Sequence, residues 1–269
     1  MSTKKAIFFD IDGTLIDITK GQLQMTAKVQ AAIMELRAEG HHTFIASGRP
    51  YSYLDPELRE SGAFDGFVLM NGAAVILDGK TIFSQPLLHD TVMEIIALCK
   101  RENVQYILQG VRQVYLHPEF HELRRFYADI GIDTDAFLYD FEDETTETYK
   151  MEFWSEDKGG HGIFKKLLAW PGLSGLMDPF HKQNMEVYAS DISKASGILH
   201  ALDYMKIPVE QSYAFGDGLN DLEMMDTVGT SFAMGNGQPE VKARADIVVP
   251  GIHEDGVAWG IRHKILGER

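Results

Sequence analysis

Cysteine is almost missing from this chain. Cys99 stands alone among 269 residues, so no disulfide can form within the chain, and a reducing, cytoplasmic setting is expected. Basic residues are scarce as well: 25 Lys and Arg stand against 40 Asp and Glu, for a formal net charge of -15. That balance argues against a nucleic-acid backbone as partner, and no basic run marks an anionic membrane surface. Long apolar runs are lacking too. The run after Lys4 and Lys5 ends at Asp10, too soon for the apolar region of a signal peptide, and no stretch approaches a membrane span. There is no cysteine and histidine cluster with the spacing of a zinc site, no internal repeat and no low-complexity segment. A soluble monomer or weak homo-oligomer is expected.

What is present suits an ordinary globular protein, with 45% hydrophobic and 24% charged residues. The length allows one large domain or two smaller ones. The most informative stretch is Ala6-Ile7-Phe8-Phe9-Asp10-Ile11-Asp12-Gly13-Thr14-Leu15. Its short apolar run reads as a buried strand closed by a turn. Carboxylates do not belong inside a strand buried on both faces, but they do at its carboxyl end, where open α/β sheets bind ligands. Asp10 and Asp12 share parity along an extended chain and should face one crevice. Two charges that close call for a cation or a proton, so a divalent metal and a phosphate are expected there.

Further strands end in small polar residues. Thr43 to Ala46 runs into Ser47-Gly48-Arg49-Pro50, and Phe67 to Met70 into Asn71-Gly72. Between the first two strands, Met25, Val29, Ile33 and Leu36 recur at helical spacing before Gly40. Asp78-Gly79 between two extended segments predicts a hairpin with a type I′ turn. After Gln85-Pro86 the pattern changes to helices and antiparallel strands, none ending in the same way. From Ser193 the first pattern returns: Ser212 to Phe215 ends in Gly216-Asp217-Gly218-Leu219-Asn220-Asp221, and Thr230 to Met234 in Gly235-Asn236-Gly237. Strands alternating with helices predict a doubly wound, Rossmann-like parallel sheet, here in two segments, residues 1–84 and 185–269, around an inserted α+β domain at 85–184.

Four carboxylates, Asp10, Asp12, Asp217 and Asp221, are therefore available at strand ends, and oxygen donors of this kind select Mg2+ over zinc. Lys194 opens a helix, where its charge opposes the helix dipole unless a phosphate repays it. Ser47 offers a hydroxyl and a backbone N–H to phosphate, or caps a helix. Gly48, Arg49, Asn71 and Asn220 are candidates for contacts with the substrate.

In order, Asp10-Ile11-Asp12-Gly13-Thr14-Leu15, Ser47-Gly48-Arg49-Pro50, Lys194 and Gly216-Asp217-Gly218-Leu219-Asn220-Asp221 resemble the four motifs of the haloacid dehalogenase-like phosphatases. Asn71-Gly72-Ala73, Ala233-Met234-Gly235-Asn236-Gly237 and Glu254-Asp255-Gly256-Val257-Ala258 are similar to the Cof-type subfamily, and the insert to its C2B α/β cap. The resemblance implies that Asp10 attacks phosphorus to form an aspartyl-phosphate and that Asp12 serves as acid and base. It implies Mg2+ on the Asp10 carboxylate, the Asp12 carbonyl and Asp217, with Asp221 in support, and Ser47 and Lys194 on the phosphoryl group. It also implies a cap that closes over the site, and a small phosphorylated metabolite, such as a sugar phosphate, as substrate. One position departs from the pattern: Ala195 follows Lys194 where the family usually has glycine, which leaves Lys182 as a rival. A phosphomutase or phosphotransferase would use the same core; a receiver-like phospho-acceptor would be shorter and would leave Asp12 idle. Substrate selection would fall to cap residues, with Arg112, His117, Arg124, His161, His181, Asn184 and Glu186 as candidates.

Overall fold

The computed structural model describes residues 4–156, 162–178 and 182–267; His161 and His181 lie outside them. The first segment supplies β1 (Ala6–Phe9), β2 (His42–Ala46), β3 (Gly66–Leu69), β4 (Ala74–Leu77) and β5 (Lys80–Ser84). The insert supplies β6 (Gln105–Gln109), β7 (Val114–Leu116), β8 (Lys150–Trp154), β9 (Leu173–Met177) and β10 (Asn184–Ala189), and the return supplies β11 (Ser212–Gly216), β12 (Thr230–Ala233) and β13 (Ile247–Val248). Helices that matter below are α1 (Ala27–Ala38), α2 (Pro56–Glu60), α3 (His89–Glu102), α4 (His121–Asp129), α5 (Gly162–Leu168) and α6 (Lys194–Met205).

The chain divides into two compact units, one of residues 1–48, 54–84 and 193–269, the other of 49–53 and 85–192. In the first, an eight-stranded sheet runs β13-β12-β11-β1-β2-β3-β4-β5. All pairs from β13 to β3 are parallel, and the β3-β4-β5 edge is antiparallel. Asp78 and Gly79 both take positive φ between β4 and β5, as a type I′ turn requires. From β1 the chain winds one way through β2 and β3, then returns on the other side through β11. The β1/β11 boundary is thus the topological switch point, the place where such sheets bind ligands.

Register there is held by an aromatic ladder. Phe9 pairs with Phe215 and Phe215 with Phe232, their rings stacked at 5.2 and 4.4 Å. Offset stacking of this kind adds about 0.5–1.5 kcal/mol per pair beyond burial. Ala6 and Phe8 lie in one cluster with Phe44, Val68 and with Ile198, Ala201 and Leu202 of α6. Alternation sends Ile7 and Phe9 to the opposite face, so both faces of β1 are buried and polar residues wait until its end.

The second unit has a five-stranded antiparallel sheet in the order β7-β6-β8-β10-β9. One face packs Tyr106, Leu108, Met151, Phe153, Met185 and Val187 against α3 and α5. The second unit runs on to Ile192, past the expected change at residue 184. The reason is pairing: β10 lies between β8 and β9 and cannot leave that sheet. Arg49–Tyr53 also belongs to this unit, because Tyr53 is buried among Ile107, Leu116, Leu123 and Tyr127.

Cys99 sits on α3 in the apolar cluster, where burial pushes its thiol up to about 12. The reactive species is the thiolate, and a raised value removes it throughout the neutral range. Native protein at pH 8 should therefore resist iodoacetamide and accept one equivalent after denaturation. Rapid labelling of the native chain, read by intact mass, would contradict the buried placement.

Candidate active site

Asp10 is the residue directly after β1, and its N–H donates to Phe215 O on β11 at 3.0 Å. Asp217 follows β11, so the switch point presents both side chains from adjacent strands. Lys194, the first residue of α6, is 1% exposed. Its Nζ donates to Asp10 Oδ1 at 2.5 Å and to Asp221 Oδ1 at 2.6 Å. Burial opposes the ammonium charge, but Asp10 and Asp221 outweigh it and hold the lysine above its ordinary value. Asp10 is itself pushed well up, first by burial and then by Asp221, against the pull of Lys194. Asp217 is pushed up to about 6, by burial first and Asp221 second, while a hydrogen bond from Thr14 pulls it down.

Asp221 fixes the loop. Its Oδ2 accepts from the N–H of Asp217 at 2.9 Å and of Gly218 at 3.0 Å, and its Oδ1 holds Lys194. A buried carboxylate with three donors is well satisfied. Gly13 turns at φ +88°, and a Cβ there would lie 2.2 Å from Asp217 Oδ2. No side chain fits between the β1 loop and Asp217, so glycine is required at this position.

Asp10, Asp217 and Asp221 form the metal-capable cluster among the described residues, with one oxygen from each within 4.8 Å of the others. Three carboxylates against one ammonium leave the cluster two charges negative, which a divalent cation balances. The donors are all oxygen, as hard cations prefer. The residues therefore fit a metal such as Mg2+.

Asp12 does not join this cluster. Asp10 already lies beyond the end of β1, and the chain curls at once, with the N–H groups of Thr14, Leu15 and Ile16 all directed at Ile11 O. The shared-parity expectation assumed an extended chain that stops at Phe9. The side chain of Asp12 is exposed instead, close enough to raise Asp10 and Asp217 by its charge.

Ser47 is buried after β2; its N–H donates to Val68 O at 2.8 Å and its carbonyl accepts from Asn71 N–H at 3.1 Å. It caps no α-helix, since Asp55 caps α2. Asn71 is buried with φ 55°, and its Oδ1 would lie 3.0 Å from a Cβ on Gly48. Arg49 Nη1 donates to Tyr53 O at 3.4 Å, inside the second unit. Asn220 is exposed, folded back over Gly218. Lys182 lies on an exposed turn of the second unit.

Two residues of the site were not singled out from sequence. Thr14 Oγ1 donates to Asp217 Oδ1 at 3.2 Å. Asn236 Nδ2 donates to Gly13 O at 2.8 Å, and its Oδ1 accepts from Ile252 N–H at 2.8 Å, tying the β1 loop to the loop after β12. The Gly-Asn-Gly run at a strand end was the available signal for Asn236. In the second unit, His117 bonds Asp143 at 3.0 Å, Arg124 bonds Asp135 at 3.3 Å, Glu186 bonds Lys150 at 2.6 Å, and Arg112 lies over the Tyr51 ring at 5.1 Å.

The chain matches the model of the haloacid dehalogenase-like hydrolase family over residues 7–261. It is 32% identical over 266 residues to the protein YkrA of Bacillus subtilis (strain 168), covering 96% of each chain. It is 29% identical to YitU of the same organism, named as 5-amino-6-(5-phospho-D-ribitylamino)uracil phosphatase, with 96% of this chain and 97% of the relative covered. Among solved structures it superposes on the subclass IIB sugar phosphatase BT4131 with a TM-score of 0.79 at 27% identity, covering 97% of this chain and 98% of that one. A protein from Geobacillus kaustophilus HTA426 gives 0.85 at 28%, with 98% and 99% covered. Among the described residues no helix is long and apolar enough to cross a membrane. Family, fold and relatives agree with the acidic switch-point site, and the chain belongs to the haloacid dehalogenase-like hydrolases as a phosphatase of the Cof type.

Proposed function

We propose that this phosphatase hydrolyses phosphate monoesters of small metabolites, sugar phosphates among them, through an aspartyl-phosphate on Asp10, with Mg2+ as its metal. The observation that carries the reading is the meeting of Asp10, Lys194, Asp217 and Asp221 at the β1/β11 switch point. Asp10 attacks phosphorus in line, forming an acyl-phosphate bond as the ester P–O bond breaks, and Asp12 gives its proton to the leaving oxygen. Asp12 then takes a proton from water, which attacks the same phosphorus and returns Asp10 as carboxylate with inorganic phosphate. The exposed position of Asp12 suits a group that must reach both leaving oxygen and water. Ser47 and the Lys194 ammonium hold the equatorial oxygens, Lys194 by charge. Asp10, Asp217 and the Asp12 carbonyl would hold Mg2+, with Asp221 in support, and the ion supplies positive charge to the transferring phosphoryl group.

The second unit is assigned as the cap domain; the single cysteine favours a reducing, cytoplasmic setting, and the net charge of -15 favours small-molecule rather than nucleic-acid partners. Relatives named for a phosphorylated ribitylaminouracil and for sugar phosphates support a polyol or sugar phosphate. A panel of such esters assayed with Mg2+ should show phosphate release that chelator abolishes and added Mg2+ restores. Turnover indifferent to chelation would remove the metal from the scheme, and transfer to a second sugar outpacing phosphate release would favour a mutase.

A further inference from the structure

The helix α6, which opens with Lys194, begins against the turn that follows β3. In that turn Met70, Asn71 and Gly72 take φ values of 48°, 55° and 101°. Two successive non-glycine residues in the left-handed region are strained, and such strain persists where the surroundings over-determine it. On one side the turn is bonded to the Ser47 loop, through Asn71 N–H to Ser47 O at 3.1 Å. On its other side it meets the first turn of α6. A Cβ on Gly72 would lie 2.0 Å from Ser193 O, the carbonyl that accepts the Gly197 N–H at 3.1 Å. A Cβ on Gly197 would lie 2.8 Å from Gly72 Cα and 2.5 Å from Val68 Cγ1. Backbone therefore packs on backbone with no room for a methyl group on either partner.

We propose that Gly72 and Gly197 are positioning residues whose backbone contact sets how deeply α6 delivers the Lys194 ammonium to Asp10. Through the Asn71 to Ser47 hydrogen bond, the same turn fixes the spacing between the two groups assigned to phosphate. The inference rests on that assignment of Ser47 and Lys194. A methyl group at Gly197 forces the helix start away from the turn, and a displacement on the order of 1 Å at a reacting site costs about 10²-fold in rate. Gly72 and Gly197 touch no substrate; they act through Lys194.

The test compares full-length wild type, Gly197→Ala, Val68→Ala, the double variant Gly197→Ala/Val68→Ala and Lys194→Met. Each is measured for kcat, KM, the inhibition constant of inorganic phosphate and the thermal midpoint. Gly197→Ala should lower kcat by about 10²-fold and raise the phosphate constant by about tenfold. Val68→Ala, which loosens packing at the same spot without pushing the helix, should lower the midpoint and leave both constants within about twofold. The double variant makes room on the Val68 side and guards against a failure of Gly197→Ala to fold. It should keep the phosphate defect, because Gly72 Cα still blocks the methyl. Recovery of both constants in the double variant would overturn the proposal, as would a Gly197→Ala enzyme that loses only thermal stability. If phosphate affinity falls in Lys194→Met but not in Gly197→Ala, positioning alone is wrong. If Lys194→Met binds phosphate as wild type does, the phosphate assignment is wrong and the inference falls with it.

Discussion

Asp10→Asn is expected to lower turnover by about 10⁴-fold or more, the scale seen when a covalent nucleophile is removed, while the fold is kept. An amide is nearly the same shape and still offers an oxygen to the Lys194 ammonium. Asp10 lies under strain as an anion, raised by burial and by Asp221, so an uncharged isostere removes a repulsion. The thermal midpoint should stay equal or rise. With labelled substrate, wild type should yield a hydroxylamine-sensitive acyl-phosphate after acid quench, and the variant none. Persistent full turnover in Asp10→Asn would sink the nucleophile assignment, whatever the metal dependence showed.

Lys194→Met is expected to cost about 10²–10³-fold in kcat, the usual loss when a charge-stabilising donor is removed, and to destabilise the protein as well. The ammonium is buried between two carboxylates at 2.5 and 2.6 Å. Removing the cation leaves them facing each other, and breaking a buried pair costs about 3–5 kcal/mol. The sign with pH follows from the acids. Asp10 and Asp217 are already raised and Lys194 pulls both down, so without the lysine the folded protein takes up a proton more readily than the unfolded chain. The penalty is largest above the folded-state value and shrinks as pH falls toward the ordinary carboxylate range. Unfolding with chelator present at pH 8 and pH 5 should show a wider gap between variant and wild type at pH 8. A gap independent of pH would mean that the loss is one of packing alone.

Much of this could be read from the residues. An apolar run that ends in a carboxylate has few physical explanations, and Asp10 and Asp217 stand at such ends because strands buried on both faces tolerate charge nowhere else. Lys194 was legible only beside the other motifs: a cation at a helix start is unfavourable without an anion to repay it, but alone it reads as a solvated surface lysine. For Asp12, strand parity was carried past the point where the chain stops being extended; it stands outside the carboxylate cluster yet near enough to raise Asp10 and Asp217 by its charge. Thr14 and Asn236 were missed because their partners are brought close only by the sheet. The same holds for Gly197, whose need for a bare backbone depends on the turn at Gly72. The extent of the second unit was hidden too: a boundary at residue 184 cuts through β10, which the sheet holds between β8 and β9.

The side-by-side pairing of β1 and β11 has a consequence for how the protein comes into being. Lys194 and Asp10 are separated by 184 residues, and Thr14 and Asp217 by 203. Contacts of such range form late, because the loop they close must be paid for before they return anything. During synthesis the first strands emerge with no β11 to pair with, and one side of β1 stays open until most of the chain has left the ribosome. The second unit has a hydrophobic core of its own, so it can compact meanwhile and bring the two ends nearer. The candidate site then assembles late, and an incomplete chain carries the carboxylate of Asp10 without the lysine that steadies it.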